Sequence, residues 1–175
     1  MNTELSTRPA FRPSLALFHA NTKGTGSALR VSLRPASSEK DGAIFLSIAP
    51  QLTIGDRSHP VPILPSFDFE SPLCFRLDFV EVSQLLQVLL GEVESVEEGK
   101  GLYHVRRVNG KATTKRFTFR HLIEPYSCYE LNIFESGDGV EDRSAVFSLK
   151  PAESLGLAEC LTAVLPVIAF GDFHR

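Results

Sequence analysis

The stretch CFRLDFVEVSQLLQVLL, Cys74–Leu90, changes its period halfway along. In CFRLDF, Phe75, Leu77 and Phe79 alternate with polar or charged neighbours, the two-residue period of a strand with one buried face. From Val82 the apolar residues fall at helical spacing (Val82, Leu85, Leu86, Leu89), and Gly91 supplies a stop. Asp78 and Glu81 stand three apart at the switch, the spacing of a capping box with aspartate at the N-cap. A second switch of the same kind lies in VFSLKPAESLGLAECL, Val146–Leu161. There Phe147, Leu149 and Glu153 repeat the spacing of Phe75, Leu77 and Glu81, 72 residues later. Both junctions read F-x-L-x-x-x-E and run into a leucine-bearing helix. The second helix, 152–170, follows Pro151, which suits a first helical turn.

Outward from the first junction, LALFHA (15–20), ALRVSLR (28–34) and AIFLSIA (43–49) read as strands. A proline-rich, irregular connection covers 50–73. Ahead of the second junction, LYHVRRV and ATTKRFTFRHLI flank Asn109-Gly110, a dipeptide that tight hairpin turns favour because both central residues need positive φ. CYELNIF (128–134) and SAVFSL (144–149) complete a second set of four strands. The order is ββββα twice, which predicts an α+β fold built from a duplicated unit. The organisation that follows is an N-terminal arm over 1–13 and one domain over 14–172, with pseudo-repeats of about 14–98 and 99–172.

The chain has 175 residues, 43% hydrophobic and 22% charged, enough to bury a core. No run reads as a membrane span, and MNTELSTRPAFRPS has no apolar secretory core, so a cytoplasmic protein without a membrane partner is expected. Cys74, Cys128 and Cys160 are far apart and form no CxxC pair; three small buried thiols are expected, with no metal centre or disulfide. The histidines show no ligand spacing and no serine sits in G-x-S-x-G, so no catalytic residue, metal or cofactor is indicated. The acidic runs EVESVEE and ESGDGVED read as solvated loops or helix ends.

Net charge is −3, yet the charges are segregated. Residues 5–38 hold five of the 18 basic residues and no acid, and residues 99–123 hold seven more, again with no acid. Such segregation creates local positive surface on an acidic protein. Arg30 and Arg34 share one strand face, Arg116 and Arg120 another, and Phe18, Phe45 and Tyr103 lie on neighbouring strands. Cations that track a phosphate backbone, with rings on which bases stack, are what single-strand binding requires. The turn HANTKGTGS, His19–Ser27, has its lysine ahead of its glycines and a strand after it, so it is not a nucleotide-cradling P-loop. It reads as a glycine-rich turn, with Lys23 and exposed backbone N–H groups available to a phosphodiester as the functional reading. The candidate nucleic-acid contacts are Phe18, Lys23, Arg30, Arg34, Phe45, Arg106, Lys115, Arg116 and Arg120.

Taken with their order, Lys23-Gly24-Thr25-Gly26-Ser27-Ala28-Leu29, FRLDFVEVSQLLQVLLG and AESLGLAECLTAVLP resemble the Whirly family of single-stranded DNA-binding proteins. That family opens its second strand with lysine-glycine-lysine-alanine-alanine-leucine; this chain lacks the second lysine, carries one more residue, and has no tryptophan after its last helix. The resemblance implies two antiparallel four-stranded sheets packed roughly at right angles with two helices, and assembly as a homotetramer through the helices. It implies sequence-tolerant binding of single-stranded DNA in DNA maintenance or transcription regulation, without enzymatic activity. Relatives of the same topology keep RNA open as the ligand, and a protein-interaction module that binds no nucleic acid is the alternative. For the helices, Leu85, Leu89, Leu157 and Leu161 are candidate buried positions.

Overall fold

Both junctions fold as their change of period requires. The structure is a computed structural model that describes residues 14–123 and 125–171; the expected N-terminal arm lies outside the described residues. The order is β1 (Ser14–His19), β2 (Ser27–Arg34), β3 (Ala43–Pro50), β4 (Leu73–Leu77), α1 (Phe79–Leu89), β5 (Leu102–Val108), β6 (Lys111–Leu122), β7 (Cys128–Gly137), β8 (Val140–Leu149) and α2 (Pro151–Phe170). Strands β1 to β4 form one antiparallel sheet in chain order, and β5 to β8 form a second. The duplicated ββββα architecture is therefore present.

At the first junction the Asp78 carboxylate accepts the Glu81 backbone N–H at 3.0 Å, and Glu81 Oε2 accepts the Asp78 N–H at 2.8 Å. This capping box ends the strand at Leu77, two residues earlier than CFRLDF suggests, and makes Phe79 an exposed first helical residue rather than a buried strand residue. At the second junction Glu153 Oε2 accepts the Lys150 N–H at 2.9 Å, so the glutamate caps in the same way. Asn109 and Gly110 adopt φ +52° and +77° in the two-residue turn between β5 and β6. The run ESGDGVED is not a solvated loop: it continues β7 and β8 around a tight turn at Asp138-Gly139, where Gly139 takes φ +76°.

The core lies between the sheets and under the helices. Leu29, Ile44, Leu46, Ile48, Phe75 and Leu77 meet Phe117, Phe119, Leu131, Ile133, Phe147 and Leu149. A row of rings runs through it, His104–Phe75–Phe117–Phe119–Tyr129–His121, with successive centroids 4.3, 5.2, 6.5, 5.7 and 4.5 Å apart. Leu85, Leu89, Leu157 and Leu161 are buried within the single chain, so these leucines serve its own core.

The capping glutamates also join the halves. His104, on β5, donates from Nε2 to Glu81 Oε1 at 2.7 Å and stacks on Phe75. His19, on β1, donates from Nε2 to Glu153 Oε1 at 2.8 Å and stacks on Phe147 at 4.4 Å. Each half lends a histidine to the other half's F-x-L-x-x-x-E junction, and the histidine engages both its phenylalanine and its glutamate.

One expectation about exposure changes. Cys160 is exposed and Cys74 and Cys128 are half-buried, because Cys160 falls on the outer side of α2. Helix α2 is itself long and apolar enough to cross a membrane by length and composition, although the sequence shows no uninterrupted apolar run of that length.

Candidate nucleic-acid interface

Alternation in the strands sorts the basic residues by face. On β2, Leu29 and Val31 enter the core, so Arg30, Ser32 and Arg34 face outward. On β3, Ile44, Leu46 and Ile48 are buried and Phe45 faces outward, in register between Ser32 on β2 and Arg76 on β4. Phe18 lies on the outer side of β1, with 57% of its surface exposed. The outer face of the first sheet thus collects Phe18, Arg30, Arg34, Phe45 and Arg76.

Part of this face is engaged by the connection before β4. The Arg30 guanidinium sits 3.7 Å from the centroid of Phe69, and Phe18 packs against Phe67 and Phe69 at 5.4 and 6.4 Å. Arg34 lies 5.1 Å above Phe45 and donates to the Asp41 carbonyl at 3.1 Å. A cation over a ring face is held by the ring quadrupole, and an outer edge left to solvent remains free to stack.

On the second sheet Phe117 and Phe119 are buried, which sends Arg116, Thr118 and Arg120 outward. Arg116 lies 5.5 Å over the exposed ring of Tyr103 and donates to the carbonyls of Lys100 and Gly99 at 2.9 and 3.3 Å. Arg120 pairs with Glu130 at 2.6 Å. Arg116, Arg120, Asn132 and Phe134 floor a groove of about 690 Å³, with Glu94 and Ser95 on its rim.

Two candidate contacts do not join these faces. Lys115 points to the side opposite Arg116, where its ammonium meets Glu135 at 3.1 Å and donates to the Cys74 carbonyl at 3.1 Å. Arg106 is exposed but shares the strand side of Leu102 and His104, towards the hairpin tip. Arg76 and Phe134 belong to the outer faces and were absent from the candidate set; strand alternation alone picks them out. Phe67 and Phe69 lie in an irregular segment with no such signal.

The turn between β1 and β2 holds Lys23 in solvent, but its backbone N–H groups are engaged internally. Asn21 Oδ1 accepts from the N–H of Lys23 and of Thr25, at 3.0 and 3.1 Å. Gln51 Oε1 accepts from the N–H of Asn21 and of Gly26, at 2.9 and 3.1 Å. The Lys23 side chain, rather than a nest of amides, is what this turn offers a phosphate. Gly26 is required by close approach: a Cβ there would sit 2.2 Å from the His19 carbonyl oxygen and 2.3 Å from Gln51 Oε1.

Among the described residues no three His, Cys, Asp or Glu side chains group as a metal set. No protein-family model matches the chain, and no curated protein matches it. Solved structures do. The chain is similar to WHY3 from Arabidopsis thaliana, with TM-score 0.68 and 18% identity over 94% of this chain and 92% of that one. It is similar to the plant transcriptional regulator PBF-2, with TM-score 0.66 and 17% identity over 92% of this chain and 84% of that one. It is also similar to a guide-RNA-binding protein in a complex bound to a guide RNA, with TM-score 0.57 and 18% identity over 89% and 91%. The fold is the Whirly fold.

Proposed function

We propose that the protein binds single-stranded nucleic acid through the outer faces of its sheets, with DNA as the preferred strand and little dependence on sequence. One observation carries this reading. Both sheets turn arginines outward beside aromatic rings: Arg34 with Phe45, Arg116 with Tyr103, and Arg30 against Phe69 of the connection before β4, which also packs on Phe18. Arginine neutralises phosphate at any position, and a ring stacks on any base, so such pairs bind strands without reading sequence. Flexible single strands can lay bases on these rings, whereas a duplex keeps its bases stacked inside. A binding role in DNA maintenance or transcription regulation, without catalysis, is the role proposed for it, and a plant transcriptional regulator of the same fold supports that reading. RNA is the second reading, favoured by the fold's occurrence in a guide-RNA-binding protein.

The test is a titration of a labelled DNA strand of about 30 nucleotides, its duplex and the matching RNA at several salt concentrations, since each phosphate contact on a single strand contributes a slope of about 0.7 in log K against log salt. Tighter binding to the DNA strand than to either competitor, weakening with salt, is expected. Equal affinity for strand and duplex overturns the reading. Tighter RNA binding replaces DNA with RNA and keeps the surface.

A further inference from the structure

Gln51 follows directly after β3 and is one of two polar residues buried among the described residues, with 8% of its surface exposed. Its amide is satisfied on both sides. Oε1 accepts from the N–H of Asn21 and of Gly26, and Nε2 donates to the carbonyls of Asn21 and Thr53 at 3.0 and 2.9 Å. Three of these four bonds go to the β1–β2 turn, entering it on either side of Lys23. Its backbone is equally placed: the Gln51 N–H donates to the Gly26 carbonyl at 2.8 Å, and Gln51 bridges Phe67 at the start of the segment that carries Phe69. A carboxamide can accept and donate at once from one plane, which neither an apolar nor a carboxylate side chain can do. A buried amide left without these partners would be costly, so the site is built as a unit.

We propose that Gln51 is a positioning residue for nucleic-acid binding: its side-chain amide templates the Asn21–Gly26 turn and so fixes where Lys23 meets a phosphate. The inference rests on the nucleic-acid reading and deepens it. Among the described residues the Lys23 side chain makes no hydrogen bond or ion pair that would hold its direction, and the turn around it carries Gly24 at φ +72° and Gly26, neither of which restrains a chain. Asn21 ties the turn from within, through the N–H groups of Lys23 and Thr25. Gln51 ties that assembly to the sheet. Without it the lysine samples many positions and must be ordered by the ligand at each binding event, which lowers affinity.

The experiment is a double-mutant cycle on the full chain, with Lys23→Ala and Gln51→Met singly and together. The readouts are affinity for the labelled DNA strand, its salt slope, and melting temperature. Lys23→Ala is expected to weaken binding about five- to tenfold and to lower the slope by about 0.7, as one lost phosphate contact does. Gln51→Met is expected to weaken binding comparably, and to add less than about twofold once Lys23→Ala is present, since interacting residues are not additive. Its effect on melting should persist in both backgrounds, separating stability from positioning. Gln51→Asn keeps an amide but falls one methylene short; it gives the same cycle if Gln51→Met melts too low. Normal binding by the Gln51 variants, or equal weakening with and without Lys23, overturns the inference and leaves the nucleic-acid reading standing. A wild-type chain that binds neither DNA nor RNA strands overturns both.

Discussion

Arg116 and Phe117 are adjacent in sequence, and the pleat of β6 sends their side chains to opposite faces. Phe117 is fully buried and stacks between Phe75 and Phe119, whereas Arg116 lies over Tyr103 at the surface. Phe117→Ala should cost about 3–5 kcal/mol through lost burial and the cavity left behind, read from denaturant unfolding. Arg116→Ala should leave stability within about 1 kcal/mol of wild type. It should weaken binding to every sequence alike and lower the salt slope by about 0.7. Tyr103→Ala should instead weaken binding by about 1–3 kcal/mol with the slope unchanged, because stacking releases no counterion. A slope that moves with Tyr103 and not with Arg116 would reverse these roles. The side on which each residue faces was legible in the two-residue alternation. Which cations stay free was not: Lys115 and Arg120 find Glu135 and Glu130 across the β6–β7 register, and no local pattern sets that register.

At the scale of elements, the strand–helix junctions were legible because each carries its own punctuation: a change of period, a cap, and a helix-stopping or helix-starting residue. Their partners were not, since His19 reaches Glu153 across 134 residues of chain. That contact has a pH signature. Burial raises the Glu153 carboxyl, but the hydrogen bonds from His19 and the Lys150 N–H outweigh it and hold its pKa below the usual carboxylate value. A lowered folded pKa contributes stability above the unfolded value, and that contribution is lost as pH falls through the folded one. Melting temperature should therefore fall from just above the ordinary carboxylate pKa downward, partly on account of Glu153. Glu153→Gln should be less stable than wild type at neutral pH, and the two should converge towards the acid end of that window. Parallel pH profiles for the two proteins would place the acid sensitivity elsewhere. His19→Phe, which keeps a ring on Phe147 but removes one of the two donors, should lose part of this acid dependence and keep the part due to the Lys150 N–H.

The whole molecule leaves one long element incompletely covered. Helix α2 buries Ser154, Leu157, Ala158, Leu161 and Ile168 against its own domain, while Leu155, Gly156, Glu159, Cys160, Thr162, Ala163 and Pro166 face outward. Apart from Glu159 and Thr162 this outer face is small and apolar, and exposed apolar surface gains by association with a partner. Its length and composition would also suit a membrane, but the inner face is committed to the core and Glu153 is held by His19. Leaving the fold to enter lipid would unmake both, so the expected partner is a second α2, in line with the tetramer implied by the Whirly resemblance. Light scattering at micromolar concentration should give a mass near four times the 19.3 kDa of the chain. Ala163→Glu, a second acid one turn from Glu159 in the outer face, should reduce that mass while leaving the melting of the subunit core and the binding of short strands in place. A wild-type mass of one chain removes the association, and flotation of the protein with lipid vesicles would assign the same helix face to a bilayer. Because the core leucines of α1 and α2 are already buried within the chain, an assembly formed this way adds surface to a finished subunit and does not complete an unfinished one. The sheets' outer faces, on which the arginines and rings lie, then remain available in every subunit.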